Sequence, residues 1–417
     1  MILRIECRLM NRVNLKEKCH VNSNSMLDTF VGIKSKDGDI EVNFPLGYRL
    51  SEDERGIRKD ILNLINVLSH FNVTEERLLF SNVDGNTKIN GFPMTAFLNI
   101  IRDFLSNGYY FDNEVKDVNS SKGKINWSKT IKSKKPFPQE TNLYYLDFVV
   151  KEKHQIKNNL ITLIHQFCVH ESINKIGWIF NIEPTIKPNL KFNKLMFLSN
   201  INMYLKRSYN DRHKKLFKNM IDIIHSISED VDNNEIYYGT NRFEYIWEKI
   251  IDSIYGISNK YEFFPKTKWE LLNSKDKNNK AIEPDTIMVN NNKVFVLDAK
   301  YYKYGETGIP FHLPESTSIN KQLIYGEYVF LKLKDSSKNI EVYNAFIMPF
   351  NKENNIFKTK LNYKNIGVAT AEWKSSALKH EHVQGVLLDV KHVMESYKNK
   401  SQKEIGELAG IIMEGFQ

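Results

Sequence analysis

The sequence is short of cysteine: Cys7, Cys19 and Cys168 are the only three in 417 residues, far apart and without a C-x-x-C pair. Neither a disulfide framework nor a structural zinc site can be built from them, which points to a reducing compartment. Long apolar runs are also missing. No window approaches the roughly 18 uncharged apolar residues of a membrane span, and the charged N-terminus MILRIECRLMNRVNLKEKCH has no apolar stretch of signal-peptide length. A cytoplasmic protein with no membrane partner is expected. No G-x-x-x-x-G-K-[ST] sequence occurs, which argues against a phosphate-cradling nucleotide loop, and no internal repeat or extended low-complexity segment is visible.

What is present is the material of a sizeable core, with 41% hydrophobic and 12% aromatic residues, enough for two or three domains at roughly 100–200 residues each. The 59 basic against 50 acidic residues give a net charge of +9, a modest bias towards polyanionic partners.

Along the chain, strand-like runs (29–33, 40–44) precede a helix-period stretch from Ile57 to Leu68, and a further helix fits Met94 to Leu105. From Asp112 to Thr141 the chain turns polar, basic and loop-like, as a linker or surface arm. A strand-like run (143–151) and helices at 159–170, 195–206 and 212–227 follow. The acidic, aperiodic segment 228–235 is the best boundary in the chain. The expected organisation is an α+β N-terminal region (1–110), a basic arm with a mainly helical middle (111–230) and a C-terminal domain (231–417) in a mixed α/β fold.

The chemistry concentrates in Glu283-Pro-Asp-Thr-Ile-Met-Val-Asn-Asn-Asn-Lys-Val-Phe-Val-Leu-Asp-Ala-Lys-Tyr-Tyr-Lys. Two β-branched, apolar runs flank an Asn-Asn-Asn-Lys turn, the pattern of a β-hairpin. Side chains alternate across a strand, so Asp298 and Lys300 share one face while Leu297 and Ala299 turn to the core. The hairpin return can bring Asp285 beside them. Two carboxylates and a lysine are the minimum equipment for metal-assisted phosphodiester cleavage: Asp285 and Asp298 suit a hard cation, and Lys300 can orient or deprotonate a water and contact the phosphate.

With these residues in view, the chain resembles the PD-(D/E)XK nuclease superfamily, whose core runs acidic helix, hairpin, helix, strand. The resemblance implies a central mixed sheet flanked by helices, Mg2+ as cofactor with Mn2+ as a substitute, and cation ligation by Asp285, Asp298, the Ala299 main chain and a helix glutamate. Asn241 to Ile251 reads as that helix, with Glu244 and Glu248 four apart on one face and Glu248 favoured. A helix from Ser318 to Phe330 carries Lys321, Gln322 and Tyr325, similar to the Q-x-x-x-Y-like helix of related nucleases, although Gln322 and Tyr325 stand three rather than four apart. Gln322 is a candidate catalytic group, and Lys303, Lys321 and Tyr325 are candidates for DNA contact. The strand pattern from Ile340 is expected to stop at Pro349.

A narrower resemblance covers most of the chain. Gly123-Lys-Ile-Asn-Trp-Ser-Lys-Thr-Ile, Asn159-Leu-Ile-Thr-Leu-Ile-His, Gly177-Trp-Ile-Phe, Tyr238-Gly-Thr-Asn-Arg-Phe and Lys321-Gln-Leu-Ile-Tyr look like the LlaJI family of restriction endonucleases, related to the nuclease subunit of McrBC-type systems. It implies a bacterial restriction component that cuts double-stranded DNA in an oligomeric complex with an AAA+ GTPase (McrB-like) subunit. A catalytically silent nuclease fold used for DNA binding or assembly, and a stand-alone repair or phage nuclease, are the competing readings.

Elsewhere, Lys124, Trp127 and Lys129 could follow a phosphate backbone. His165, Cys168 and His170 are spaced like metal ligands, but His165 lies on an apolar helix face with no fourth ligand near, so a buried structural role is expected. His312 is a weak candidate for substrate contact.

Overall fold

The computed structural model describes residues 14–36, 39–71, 92–140, 142–156, 159–183, 185–227, 236–334, 340–375 and 377–416. Cys7 and the boundary segment 228–235 lie outside the described residues. The chain divides into two compact units, one made of residues 1–91 and 234–417, the other of residues 92–233.

The first unit holds two main sheets, besides a short antiparallel pair of Lys268–Trp269 with Lys277–Asn278. Strands β1 (Cys19–Val21), β2 (Val31–Lys36), β3 (Asp39–Phe44) and β4 (Ile236–Thr240) form one of them in the order β1-β3-β2-β4. β2 pairs antiparallel with β4, and Gly32 lies opposite Gly239. A Cβ on either glycine would stand 2.2 Å from a main-chain oxygen of the other strand, so this crossing admits no side chain. Helix α1 (Glu54–Phe71) buries Ile57, Ile61, Leu64, Ile65 and Leu68, the stripe its sequence period announces.

The second sheet carries the features of interest. β5 (Thr286–Asn290), β6 (Lys293–Ala299), β7 (Glu341–Phe350), β8 (Tyr363–Ala369) and β9 (Val383–Asp389) stand in the order β5-β6-β7-β9-β8. β6, β7 and β9 run parallel, and antiparallel β5 and β8 form the edges. Helices α2 (Phe243–Tyr255), α3 (Ser316–Lys334), α4 (Val390–Ser396) and α5 (Gln402–Glu414) complete the mixed α/β unit. Central β7 is buried from Val342 through Phe350, the continuous apolar run of a strand covered on both faces.

The strand does not stop at Pro349, which pairs with Leu388 of β9. A residue's two main-chain polar groups point to the same side of a strand. Residue 349 therefore faces the way of Ile347, whose carbonyl accepts from the Lys300 N–H at 2.8 Å. β6 pairs no further than Ile347, so the missing N–H of Pro349 removes no ladder bond.

α3 is the crossover between β6 and β7. Its Tyr325 and Val329 pack with Ile287, Val294, Val296 and Val342, and its Leu323 with Phe346, Met348 and Phe350. At Gly326 the helix comes so close that a Cβ would lie 2.2 Å from Asn344 Nδ2, an atom that donates to the His380 carbonyl at 2.6 Å. Gly326→Ala is expected to lower stability by ~1–3 kcal/mol in chemical denaturation, through overpacking at this buried contact.

The second unit contains helices Met94–Asn107, Leu160–Ile176, Lys194–Arg207 and Asp211–Ser226. The segment 112–140 is more ordered than its polar composition suggests. Asp112–Asn119 is a strand paired antiparallel with Val149–Ile156, and Trp127–Ser133 is a short helix. Most side chains of that strand are exposed, so burial leaves no alternation for a sequence reading to find.

Candidate active site

The hairpin forms where the local pattern places it. β5 and β6 pair from Thr286 with Leu297 to Asn290 with Lys293, and Asn291 takes the left-handed conformation in the turn. Asp285 lies one residue before the first of these pairs and Asp298 one residue after its partner, so the two acids meet at the open end of the hairpin. Leu297 and Ala299 are buried on the other face. The Ala299 N–H donates to Asp285 Oδ2 at 2.8 Å, and Lys300 Nζ stands 2.6 Å from Asp298 Oδ2.

This crowding has an electrostatic cost. Burial, and then the nearby charges of Asp298 and Glu248, push the Asp285 carboxyl up to about 8, against the lowering effect of the Ala299 N–H. Burial and the Asp298 charge likewise raise Glu248, with Lys300 partly offsetting them. Burial draws the Lys300 ammonium down, but its contact with Asp298 outweighs this and keeps it above its ordinary value. Lys300 is therefore a proton-bearing cation in this arrangement.

Helix α2 brings its residues to the cluster by burying Trp247, whose Nε1–H donates to the Ile347 carbonyl at 3.2 Å. Its neighbour Glu248 is half-buried and coupled to Asp285, Asp298 and Lys300. Glu244, one turn earlier, instead pairs with Arg242 at 3.3 Å. On α3, Tyr325 is buried and its hydroxyl donates to the Glu283 carbonyl at 3.1 Å, while exposed Lys321 has its ammonium 5.5 Å from the Tyr325 ring centre. Gln322 is buried; its amide nitrogen donates to the Val296 carbonyl at 2.7 Å. Its donor is thus engaged with the sheet backbone, whereas a direct part in the reaction is what its position in sequence suggests.

Two residues that the sequence reading passed over also converge here. Lys260 Nζ donates to the Asp285 carbonyl at 2.6 Å and to Asp252 Oδ2 at 2.8 Å. Both line a cleft of ≈ 190 Å³ with Glu248, Lys249, Glu283, Pro284 and Asp285. Only the four-residue step from Glu248 to Asp252 on one helix face hints at this in the sequence.

Residues 30–372 match the family model described as LlaJI restriction endonuclease. The chain belongs to that family. It is 25% identical over 368 residues to the type II restriction enzyme BsuMI component YdjA of Bacillus subtilis (strain 168), which spans 81% of this chain and 75% of that protein. A chain of the refined half-complex from the tetradecameric assembly of Thermococcus gammatolerans McrB AAA+ hexamers with bound McrC is similar at a TM-score of 0.38 and 13% identity, covering 91% of this chain and 83% of that one.

For a restriction endonuclease of this family, the donor chemistry of the cluster suits a hard divalent cation. Asp285, Asp298 and Glu248 offer carboxylate oxygens, crowded enough for two of these acids to raise the third. Among the described residues, no three His, Cys, Asp or Glu side chains already converge as a finished ligand set, and Asp298 is engaged by Lys300.

The remaining candidates make their contacts with other residues. Lys303 starts the helical turn that follows Lys300, its carbonyl accepting from Glu306 and Thr307 N–H groups. His312 pairs with the Thr307 hydroxyl at 2.7 Å. Lys124, Trp127 and Lys129 belong to the second unit. There, Lys129 is paired with Asp117 at 2.6 Å, and Trp127 stays 53% exposed, enough surface for a stacking partner. Buried His165 accepts the Tyr110 N–H at 2.9 Å, the structural role its helix face suggests. Among the described residues, no helix is long and apolar enough to cross a membrane.

Proposed function

We propose that this chain is the nuclease subunit of a bacterial restriction system, hydrolysing phosphodiester bonds of double-stranded DNA at a PD-(D/E)XK-type site with Mg2+, or Mn2+ in its place. The observation that carries the reading is the meeting of Asp285 and Asp298 at the open end of the hairpin, with Lys300 2.6 Å from Asp298. The order helix, hairpin, crossover helix, parallel strand around it agrees with that core.

Asp285 and Asp298 would hold the cation, with Glu248 and the Ala299 carbonyl completing its protein ligands. The bound cation would supply Lewis-acid charge and a water of lowered pKa. Lys300, already protonated, orients that water and meets the phosphate charge. Tyr325 steadies the strand entering Asp285 through the Glu283 carbonyl. Lys303 and Lys321 would lie along the phosphate backbone, and Lys124, Trp127 and Lys129 offer a second place for DNA. The chain has no nucleotide-binding loop of the G-x-x-x-x-G-K-[ST] type, so we assign nucleotide hydrolysis to an AAA+ GTPase partner, in an oligomeric complex.

The test is cleavage of duplex DNA by the full-length chain, with and without such a partner, GTP and Mg2+. Cutting that needs all of them supports the proposal. No cutting in any combination makes the chain a silent binding module, and cutting by the chain and Mg2+ alone makes it a stand-alone nuclease. In the active complex, Glu248→Gln is expected to slow cleavage by roughly 10–100-fold and Glu244→Gln by little, because only Glu248 is coupled to the acid pair. Equal effects on the single-turnover rate would remove that distinction.

A further inference from the structure

We infer that Lys260, with Asp252 as its counter-ion, is a positioning residue that holds Asp285 at the separation from Glu248 needed for divalent-cation binding. This rests on the proposed reading of Asp285 and Asp298 as cation ligands. Between Lys266 and Glu283 nearly every residue is exposed, and the last main-chain tie before Asp285 is the Ile282 N–H to the Pro265 carbonyl at 3.1 Å, so no ladder bond holds residues 283–285 themselves from upstream. Side chains do so instead. Tyr325 of α3 holds the Glu283 carbonyl, and Lys260, from the turn after α2, holds the carbonyl of Asp285 itself.

Lys260 also binds Asp252, one turn beyond Glu248 on α2. One ammonium therefore ties the helix that carries Glu248 to the main chain of Asp285, across the cleft that all four residues line. Asp252 Oδ1 is buried without a protein partner, so the ion pair with Lys260 is what anchors that carboxylate. With the tie cut, two acids on different elements lose their common reference. The loss is felt where a cation must bridge them and not where DNA is bound at large.

The experiment compares the full-length chain with Lys260→Met, which keeps the apolar stem and removes the donors, and with Lys260→Arg and Asp252→Asn. One readout is the rise in melting temperature on adding Mg2+ alone. The other is the Mg2+ concentration giving half-maximal cleavage by the complete complex, set against KM for DNA. Lys260→Met is expected to need roughly 10–100-fold more Mg2+ in both readouts, with KM for DNA unchanged. Asp252→Asn should move the same way by less, and Lys260→Arg should recover most of the loss. A Lys260→Met midpoint equal to the wild type, or a defect that saturating Mg2+ does not relieve, overturns the inference. A wild-type chain that neither gains stability from Mg2+ nor cleaves overturns the cation site itself, and the positioning role with it.

Discussion

Asp298→Ala is expected to reduce DNA cleavage by roughly 10³-fold or more while leaving the fold and partner binding in place. The loss of rate follows from the proposed site, because Asp298 is both a cation oxygen donor and the partner of Lys300 at 2.6 Å. The fold is more exposed to the change, since Asp298 is only 5% accessible and its removal strands a half-buried ammonium. Breaking such a pair ordinarily costs several kcal/mol. Here a second carboxylate stands by: without Asp298, Asp285 loses a charge that raises it and can ionise more readily beside Lys300. The two effects oppose, so the melting temperature should change little. Single-turnover cleavage and co-purification with the partner measure the two halves of the prediction; unchanged cutting by the variant complex would remove Asp298 from the mechanism.

Asp285→Asn should separate stability from activity even more sharply. The Asp285 carboxyl sits at about 8 in the fold, against an ordinary 3.8. The folded chain thus holds a proton that the unfolded chain gives up between these values, and stability falls as pH rises through that window. The contribution is fully present below the ordinary carboxyl value and gone above about 8. Asparagine keeps an acceptor for the Ala299 N–H and carries no charge, so the variant escapes the loss. At pH 8 without metal it should therefore be more stable than the wild type, read as a rise of several degrees (~4–10 °C) in melting temperature. The advantage should vanish near pH 4. Mg2+ should stabilise the wild type and not the variant, because only the ionised site binds it, and cleavage by the variant should be abolished. A variant that melts no higher at pH 8 would show that the buried acid is not strained.

The parts of the site legible in sequence are those written in short-range periodicity. Alternation and an Asn-rich turn are enough to form β5 and β6, and a helical stripe is enough to orient Trp247, so Asp285, Asp298 and Lys300 come together from local rules. The choice between Glu244 and Glu248 was hard to read, because residues four apart share a helix face and it is the docking of α2 that leaves Glu244 with Arg242 and brings Glu248 under the charges of Asp298 and Lys300. Lys260 was invisible for another reason. It acts on a main-chain carbonyl 25 residues away, and no side-chain pattern records which backbone atom a lysine will meet. The pairing of β2 with β4 is likewise a long-range event, hinted at only by the glycines that permit it. Pro349 misled because its effect depends on where the neighbouring strand ends.

That long-range pairing has a consequence for synthesis on the ribosome. Val31 and its neighbours emerge early with one strand edge unclaimed, and the segment that covers it, ending at Thr240, emerges only after residues 92–233 have been made. The intervening unit is compact in itself and can fold before the late strand of the sheet arrives. Until it does, the open edge must be kept from other chains. A cell making this protein thus carries its half-finished sheet through nearly half of translation, before the acids of the hairpin are even polymerised.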